Sequence, residues 1–157
     1  MRALALNFLI ANIWMMLNEA SLFTVVTGFL LGFGMLTIFP GVWGSREYVR
    51  RSLAGAKFIG VFGREFFLSC WQLFKISLSP SMNKLSPRVI TYDVAGLSKL
   101  EILLLSHCIS LTPGTTTIDV AANFEYLTLH VLDAPDPAAV RKGIDETLKR
   151  GILAFTR

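Results

Sequence analysis

Two long runs without a single charge open the chain. Residues 3–17 (ALALNFLIANIWMML) and 20–39 (ASLFTVVTGFLLGFGMLTIF) are separated only by Asn18 and Glu19. A bilayer core takes about 20 apolar residues per helix, so the second run is long enough to cross and the first is short. The pattern predicts a transmembrane helical hairpin over 1–44, closed by Pro40, Gly41 and Gly44. A secretory leader fits poorly, because one apolar run follows another and no small-x-small site precedes a polar sequence. Gly28 and Gly32 fall one turn apart, with Gly34 close by. Small residues at that spacing let two helix backbones approach closely.

The next segment, 45–86, reads as a basic loop, an amphipathic or membrane helix, and a linker. Over 57–79 (KFIGVFGREFFLSCWQLFKISLS), Lys57, Arg64, Gln72, Lys75 and Ser79 fall near one helical face. Phe58, Val61, Phe62, Phe66, Trp71 and Phe74 supply apolar surface elsewhere. A charge at the bilayer centre costs about 2.5–3.5 kcal/mol on insertion scales. A helix lying in the interface avoids that cost, and is the favoured reading. The alternative is a third span whose charges face partner helices. Arg64, Glu65 and Lys75 are then interfacial charges. Arg64 and Glu65 are neighbours, about 100° apart on a helix, and are not expected to meet face to face. Pro80 and Pro87 bound a polar linker.

Residues 87–157 read as a small α+β domain of order β-α-β-β-α. RVITYDV (88–94) alternates like a strand. Ser98 and Glu101 form an S-x-x-E capping box opening a helix to about Ile109. That helix, KLEILLLSHCI, is nearly apolar and is expected to be buried. Leu111-Thr112-Pro113-Gly114-Thr115 is expected to turn the chain. Along 116–120, Ile118 and Val120 share one face, Thr117 and Asp119 the other. Along 125–132, Leu127, Leu129 and Val131 point inward, Tyr126, Thr128 and His130 outward, completing a hairpin. Asp136 caps a last helix with Pro137 at its first position. Val140, Ile144 and Leu148 line its inner face, and Asp145–Lys149 and Glu146–Arg150 are i,i+4 pairs. Two helices on one side of three strands is the economical packing.

Composition agrees with a membrane-attached chain. Of the 157 residues 53% are hydrophobic and only 17% charged, against about 25% charged in ordinary soluble domains. The net charge of +4 is unevenly spread: residues 1–40 are neutral, 41–90 carry +6 and 91–157 carry −2. A basic band beside an apolar block marks the cytoplasmic membrane face. Its interleaving with apolar runs argues against nucleic acid as the partner. The N-terminus and the C-terminal domain are both expected in the cytoplasm.

Catalytic chemistry is not written here. The chain has no P-loop, GxGxxG, HExxH or G-x-S-x-G pattern. Asp119, His130 and Asp133 cluster near one hairpin, but alternation places the first two on a polar face. His107 reads as a core or interface histidine. Glu19 sits between two apolar runs where water reaches it. Cys70 and Cys108, inside apolar runs and without CxxC spacing, read as buried free thiols. No metal or cofactor site is expected.

The motifs nonetheless resemble a known family. Ser-Leu-Thr-Pro-Gly-Thr (110–115), then Asp119, then Leu-His-Val-Leu-Asp (129–133) is similar to the E-type small subunit of the multisubunit Mrp-type sodium/proton antiporters. Ser79-Pro80 and Met82-Asn83, after an aromatic helix holding Arg64-Glu65, resemble the same family, as does the opening hairpin with Trp14. Ser86-Pro87-Arg88 departs from the family's usual Pro-Gly. The resemblance implies an accessory component of a membrane complex exchanging Na⁺ for protons, with the other antiporter subunits as partners and ion pathways elsewhere. On that reading Leu111, Thr112, Pro113, Gly114, Thr115, Asp119 and His130 form a structural or interface element. The residues by themselves support a membrane-anchored chain with a small cytosolic domain. A scaffold or a membrane-surface enzyme unrelated to transport is the alternative.

Overall fold

The computed structural model describes residues 2–41, 44–78 and 85–157. Ser79-Pro80, Met82-Asn83 and Lys84 lie outside the described residues. Two compact units emerge, Met1–Leu53 and Ala54–Arg157, where the sequence pattern suggests three segments.

In the first unit, α1 (Arg2–Met16) and α2 (Leu22–Ile38) pack side by side. Ser21 caps α2: its Oγ accepts from Thr24 N at 3.1 Å, while Thr24 Oγ1 donates to Glu19 O at 2.8 Å. The Gly28/Gly32 face is occupied within the chain. A Cβ at Gly28 would stand 3.1 Å from Ala11 Cα, and one at Gly32 would collide with Asn7 Oδ1. Asn7 is 1% exposed and its Nδ2 donates to Tyr48 Oη at 2.8 Å. Among the described residues Asn7 Oδ1 has no N–H or O–H partner; it lies against Gly32, where a Cβ would stand. Phe8 and Phe29 meet edge to face at 4.7 Å, and Trp14 Nε1 donates to Thr27 Oγ1.

The third helix starts earlier than the sequence suggests. α3 runs Ser45–Leu78, so the expected basic loop is helical. Glu47 explains this: Arg50 and Arg51, one turn on, both donate to its carboxylate, and such pairs support a helix. These guanidinium groups hold the Glu47 carboxyl at about 2. Arg64 and Glu65 also form an ion pair, at 3.3 Å, although neighbours in sequence. Their side chains are long enough to curl around the helix.

In the second unit, β1 (Arg88–Asp93), β2 (Thr115–Val120) and β3 (Tyr126–Val131) form an antiparallel sheet ordered β1-β3-β2. One face packs on α4 (Lys99–Leu111) and on the last helix, Ile90, Tyr92, Leu127 and Leu129 meeting Ile102, Leu105, Ile144, Leu148 and Ile152. The two helices therefore share one side. The last helix consists of α5 (Pro137–Ile144), a π-helical turn (Asp145–Lys149) and α6 (Arg150–Thr156). The wide turn inserts a residue and keeps Ile144, Leu148 and Ile152, four apart, on the core. Phe58 and Phe62 of α3 also pack on this core.

Three expectations are corrected. α4 is buried on one face only: Leu100, Leu103 and Leu111 are exposed, because each helix turn offers the sheet one side. A β-bulge between Thr117 and Asp119 breaks the alternation of β2. Thr115 and Thr117 face α4, Ile118 is exposed, and Val120 returns opposite buried Leu127, since an extra residue inverts the side-chain faces. Glu146 meets Lys142 at 3.8 Å rather than Arg150, whereas Asp145 meets Lys149 at 3.5 Å.

Both outer strands have a mid-strand backbone group already engaged. Arg141 Nε donates to Thr91 O at 2.8 Å on β1, and Thr117 N of β2 donates to Ser110 Oγ at 3.1 Å.

Candidate functional site: the Thr-Pro-Gly-Thr turn and its cavity

The motif turn begins where α4 ends. Leu111 is the last residue of α4 and Thr115 the first of β2, so the turn is narrower than the five-residue motif. Thr115 N donates to Thr112 O at 3.2 Å across Pro113 and Gly114, and Gly114 has φ +89°. This is the conformation a type II turn demands, with proline presetting one angle and glycine the other.

The motif's hydroxyls add second hydrogen bonds to carbonyls in the last turns of α4. Thr112 Oγ1 donates to Cys108 O at 2.9 Å, and Thr115 Oγ1 to Ile109 O at 2.7 Å. Thr117 Oγ1 donates to Ser106 O at 3.2 Å, and Leu132 N to Gly114 O at 2.8 Å. The Ser-Leu-Thr-Pro-Gly-Thr segment is thus a clasp between α4 and the sheet. Its threonines are spent on backbone carbonyls.

Against this clasp lies the second half of α3. Ser69, Gln72, Leu73 and Ile76 face the turn across a cavity of about 210 Å³, which Asp133 and Val140 also border. Leu73 Cδ2 and Leu132 Cβ stand 3.9 Å from where a Gly114 Cβ would be. Asp133 Oδ1 accepts from Ser86 N at 3.3 Å. Asp133 is the charged side chain among the described residues that line this cavity.

The other sequence-derived candidates are dispersed. Asp119 pairs across the strands with Thr128, and His130 with Thr116 and Val89. Both are exposed on the sheet face away from the helices. His107 Nδ1 lies 2.8 Å from Leu103 O on the outside of α4. Glu19 is exposed between α1 and α2, and Lys75 is exposed on α3. Cys70 and Cys108 are free but only half-buried, where their apolar runs suggest full burial, and burial pushes the Cys108 thiol up. Among the described residues no group of three His, Cys, Asp or Glu side chains is placed to hold a metal ion.

Two polar pairs escaped the sequence reading. Glu101 is 3% exposed and closes its own capping box, Ser98 N donating to Oε2 at 2.7 Å. The Arg157 guanidinium beside it, with the Ser98 backbone N–H, holds its carboxyl at about 2. Tyr92, 2% exposed, donates to Asp145 Oδ1 at 2.6 Å; burial first, then that carboxylate, raises its phenol. The capping box was a signal for Glu101, but its distant partner leaves no local pattern.

Apolar surface is concentrated on the hairpin, where Phe8, Leu9, Ile13, Phe23, Leu30 and Met35 are all exposed. No described helix is long and apolar enough to cross a membrane.

Comparison with known proteins places this architecture among described relatives. The model of a family described as Na⁺/H⁺ ion antiporter subunit matches residues 7–155. The chain is 32% identical to the E component of the Na⁺/H⁺ antiporter of Alkalihalophilus pseudofirmus, over 97% of this chain and 96% of that protein. It is 29% identical to the E component of the Bacillus subtilis antiporter, over 97% and 96%. A chain in the Mrp complex of Dietzia sp. shares the fold with a TM-score of 0.51 at 24% identity, covering 65% of this chain and 94% of that one. A chain of the archaeal membrane-bound sulfane sulfur reductase shares it with a TM-score of 0.60 at 17% identity, over 96% of both. With nearly its whole length matched, the chain belongs to the family of E-type Na⁺/H⁺ antiporter subunits.

Proposed function

We propose that the chain is an accessory subunit of an Mrp-type Na⁺/H⁺ antiporter, needed for assembly or stability of the complex and not itself lining the ion path. A component of an antiporter works at a membrane beside other subunits. The supporting observation is the distribution of apolar surface. α1 and α2 turn Asn7 and Thr24 inward and present Phe, Leu, Ile and Met outward. A helix pair apolar on its outside belongs in lipid or against other membrane helices. On this reading the hairpin is inserted in the bilayer. At 1.5 Å per residue α1 and α2 are roughly 22 and 26 Å long, a few ångströms under the hydrocarbon thickness. Local thinning or neighbouring subunits accommodate such a mismatch. The exposed Leu100, Leu103 and Leu111 of α4 offer a further apolar strip for a neighbour. With Asp119 and His130 exposed on the outer sheet face and the motif threonines engaged on backbone, the family motif acts as a structural clasp.

The test is production of the chain with and without the neighbouring subunits. Co-expressed in mild detergent, the chain co-purifies at a fixed ratio, and its deletion lowers Na⁺/H⁺ exchange in membrane vesicles. A stable free monomer, with exchange unchanged by deletion, would point to a scaffold unrelated to transport.

A further inference from the structure

A groove runs between α3 and the segment made of the π-turn and α6. Ala54, Val61 and Phe58 of α3 form one side, Thr147, Gly151 and Ala154 the other, enclosing about 490 Å³. The small residues keep it open, and Gly151 lets the Phe58 ring seat directly on the helix backbone, where a Cβ would collide. The π-turn adds a residue just ahead of Arg150 and so sets where that side chain emerges. Lys57 and Arg150 border the groove from opposite helices. Neither has an ion-pair partner among the described residues. The remaining charge at the rim is Glu146, which is drawn to Lys142 at 3.8 Å. The groove thus presents two cations, Lys57 and Arg150, against one carboxylate, Glu146, over an apolar, small-residue floor.

We infer, on the basis of the membrane reading above, that this groove binds the phosphate of an acidic phospholipid headgroup, with Lys57 and Arg150 as its ligands. Guanidinium and ammonium groups are the usual phosphate partners, and basic residues at the membrane surface attract anionic lipid. Lipid is favoured over an acidic protein segment by what surrounds Lys57 on α3. Lys57, Arg64 and Lys75 are spaced by seven and eleven residues and form one seam along the helix. The adjoining face carries Phe67, Trp71, Phe74 and Leu78, exposed by 73, 59, 53 and 71%. A cationic seam beside an apolar, Trp-bearing stripe is the profile of a helix lying in the headgroup layer.

The full chain is purified in detergent micelles doped with equal phosphatidylglycerol and phosphatidylcholine, and retained lipid is counted by native mass spectrometry. The wild type retains phosphatidylglycerol preferentially. Each of K57Q and R150Q weakens that preference about fivefold, and the double variant about 25-fold. K57R/R150K restores most of it, and K142Q, outside the groove, leaves it intact. Equal retention of both lipids, a double variant that behaves like the wild type, or displacement of the lipid by millimolar inorganic phosphate or by polyglutamate would each overturn the proposal. Thermal unfolding of each variant separates loss of binding from loss of fold. Whether the chain fractionates with cell membranes is scored separately. A chain that is not membrane-associated yet selects phosphatidylglycerol breaks the functional reading and not this one.

Discussion

Arg157 grips Glu101 with two hydrogen bonds, Nε to Oε1 at 3.0 Å and Nη2 to Oε2 at 3.1 Å. The same guanidinium reaches Gly96 O at 2.9 Å, and Thr156 Oγ1 donates to Glu101 Oε1 at 2.8 Å. The last turn of α6 is thereby fastened to the first turn of α4. Glu101 is held at about 2, below its ordinary value of 4.5. A folded-state value below the unfolded one stabilises the fold at pH above about 4.5, and that contribution is lost as pH falls toward 2. Melting of the wild type should fall over this window. Glu101→Ala should lower the melting temperature at pH 7 and flatten the acid limb. An unchanged acid limb would show that Glu101 is not the responsible group.

Gly114 is the strained point of the clasp. At φ +89° a β-branched side chain is disfavoured whatever space surrounds it. Gly114→Val is expected to cost about 1–3 kcal/mol, read as a drop in chemical-denaturation midpoint. Gly114→Ala should fall between the wild type and the valine variant.

Gly32 and Asn7 form a complementary pair on the hairpin. Gly32→Ala places a methyl group on the Asn7 amide oxygen and should reduce yield and melting temperature in detergent. Shortening the opposing side chain with Asn7→Ala should recover part of the loss. The double variant should be more stable than the two single costs add up to, which a double-mutant cycle measures. Strict additivity would disprove the close contact.

Tyr92→Phe removes one hydroxyl, the donor to Asp145. The expected cost is about 0.5–1.5 kcal/mol, typical of one hydrogen bond, since Asp145 keeps Lys149 as a neighbour. Denaturant titration of the two proteins side by side measures it.

The basic band over 41–90 motivates a prediction of sidedness. In a Cys70→Ser/Cys108→Ser background, Asn123→Cys should resist an impermeant thiol reagent added outside intact cells and react after lysis. Labelling from outside would restore the three-span arrangement.

Much of the second unit was legible because its signals are local. Ser98 with Glu101, Asp136 with Pro137, and Pro113 with Gly114 each encode backbone geometry within four residues. The alternation of Tyr126–Val131 also survives intact, because β3 is the central strand and is paired on both sides. Its neighbour β2 misled at Ile118, since a bulge depends on register with another strand and leaves no mark in its own pattern. The π-turn is hidden for a similar reason: it answers the four-residue spacing of Ile144, Leu148 and Ile152 on a core made by other elements. The Lys57–Arg150 groove joins residues 93 positions apart, beyond any spacing rule. On the first unit, the Gly28/Gly32 spacing signals a close helix contact but not that α1 supplies the other helix.

The bonds from Arg141 to Thr91 O and from Thr117 N to Ser110 have a consequence for assembly. An exposed strand is a template that any passing chain can extend. Here each border of the sheet has a central backbone group committed to the protein's own side chains. A newcomer strand pairing along the full length of either border would have to displace a native hydrogen bond at its centre. Recruitment by main-chain zippering is thereby disfavoured, and so is polymerisation of subunits awaiting their partners. Recognition is left to side chains, which discriminate between neighbours as backbone pairing does not.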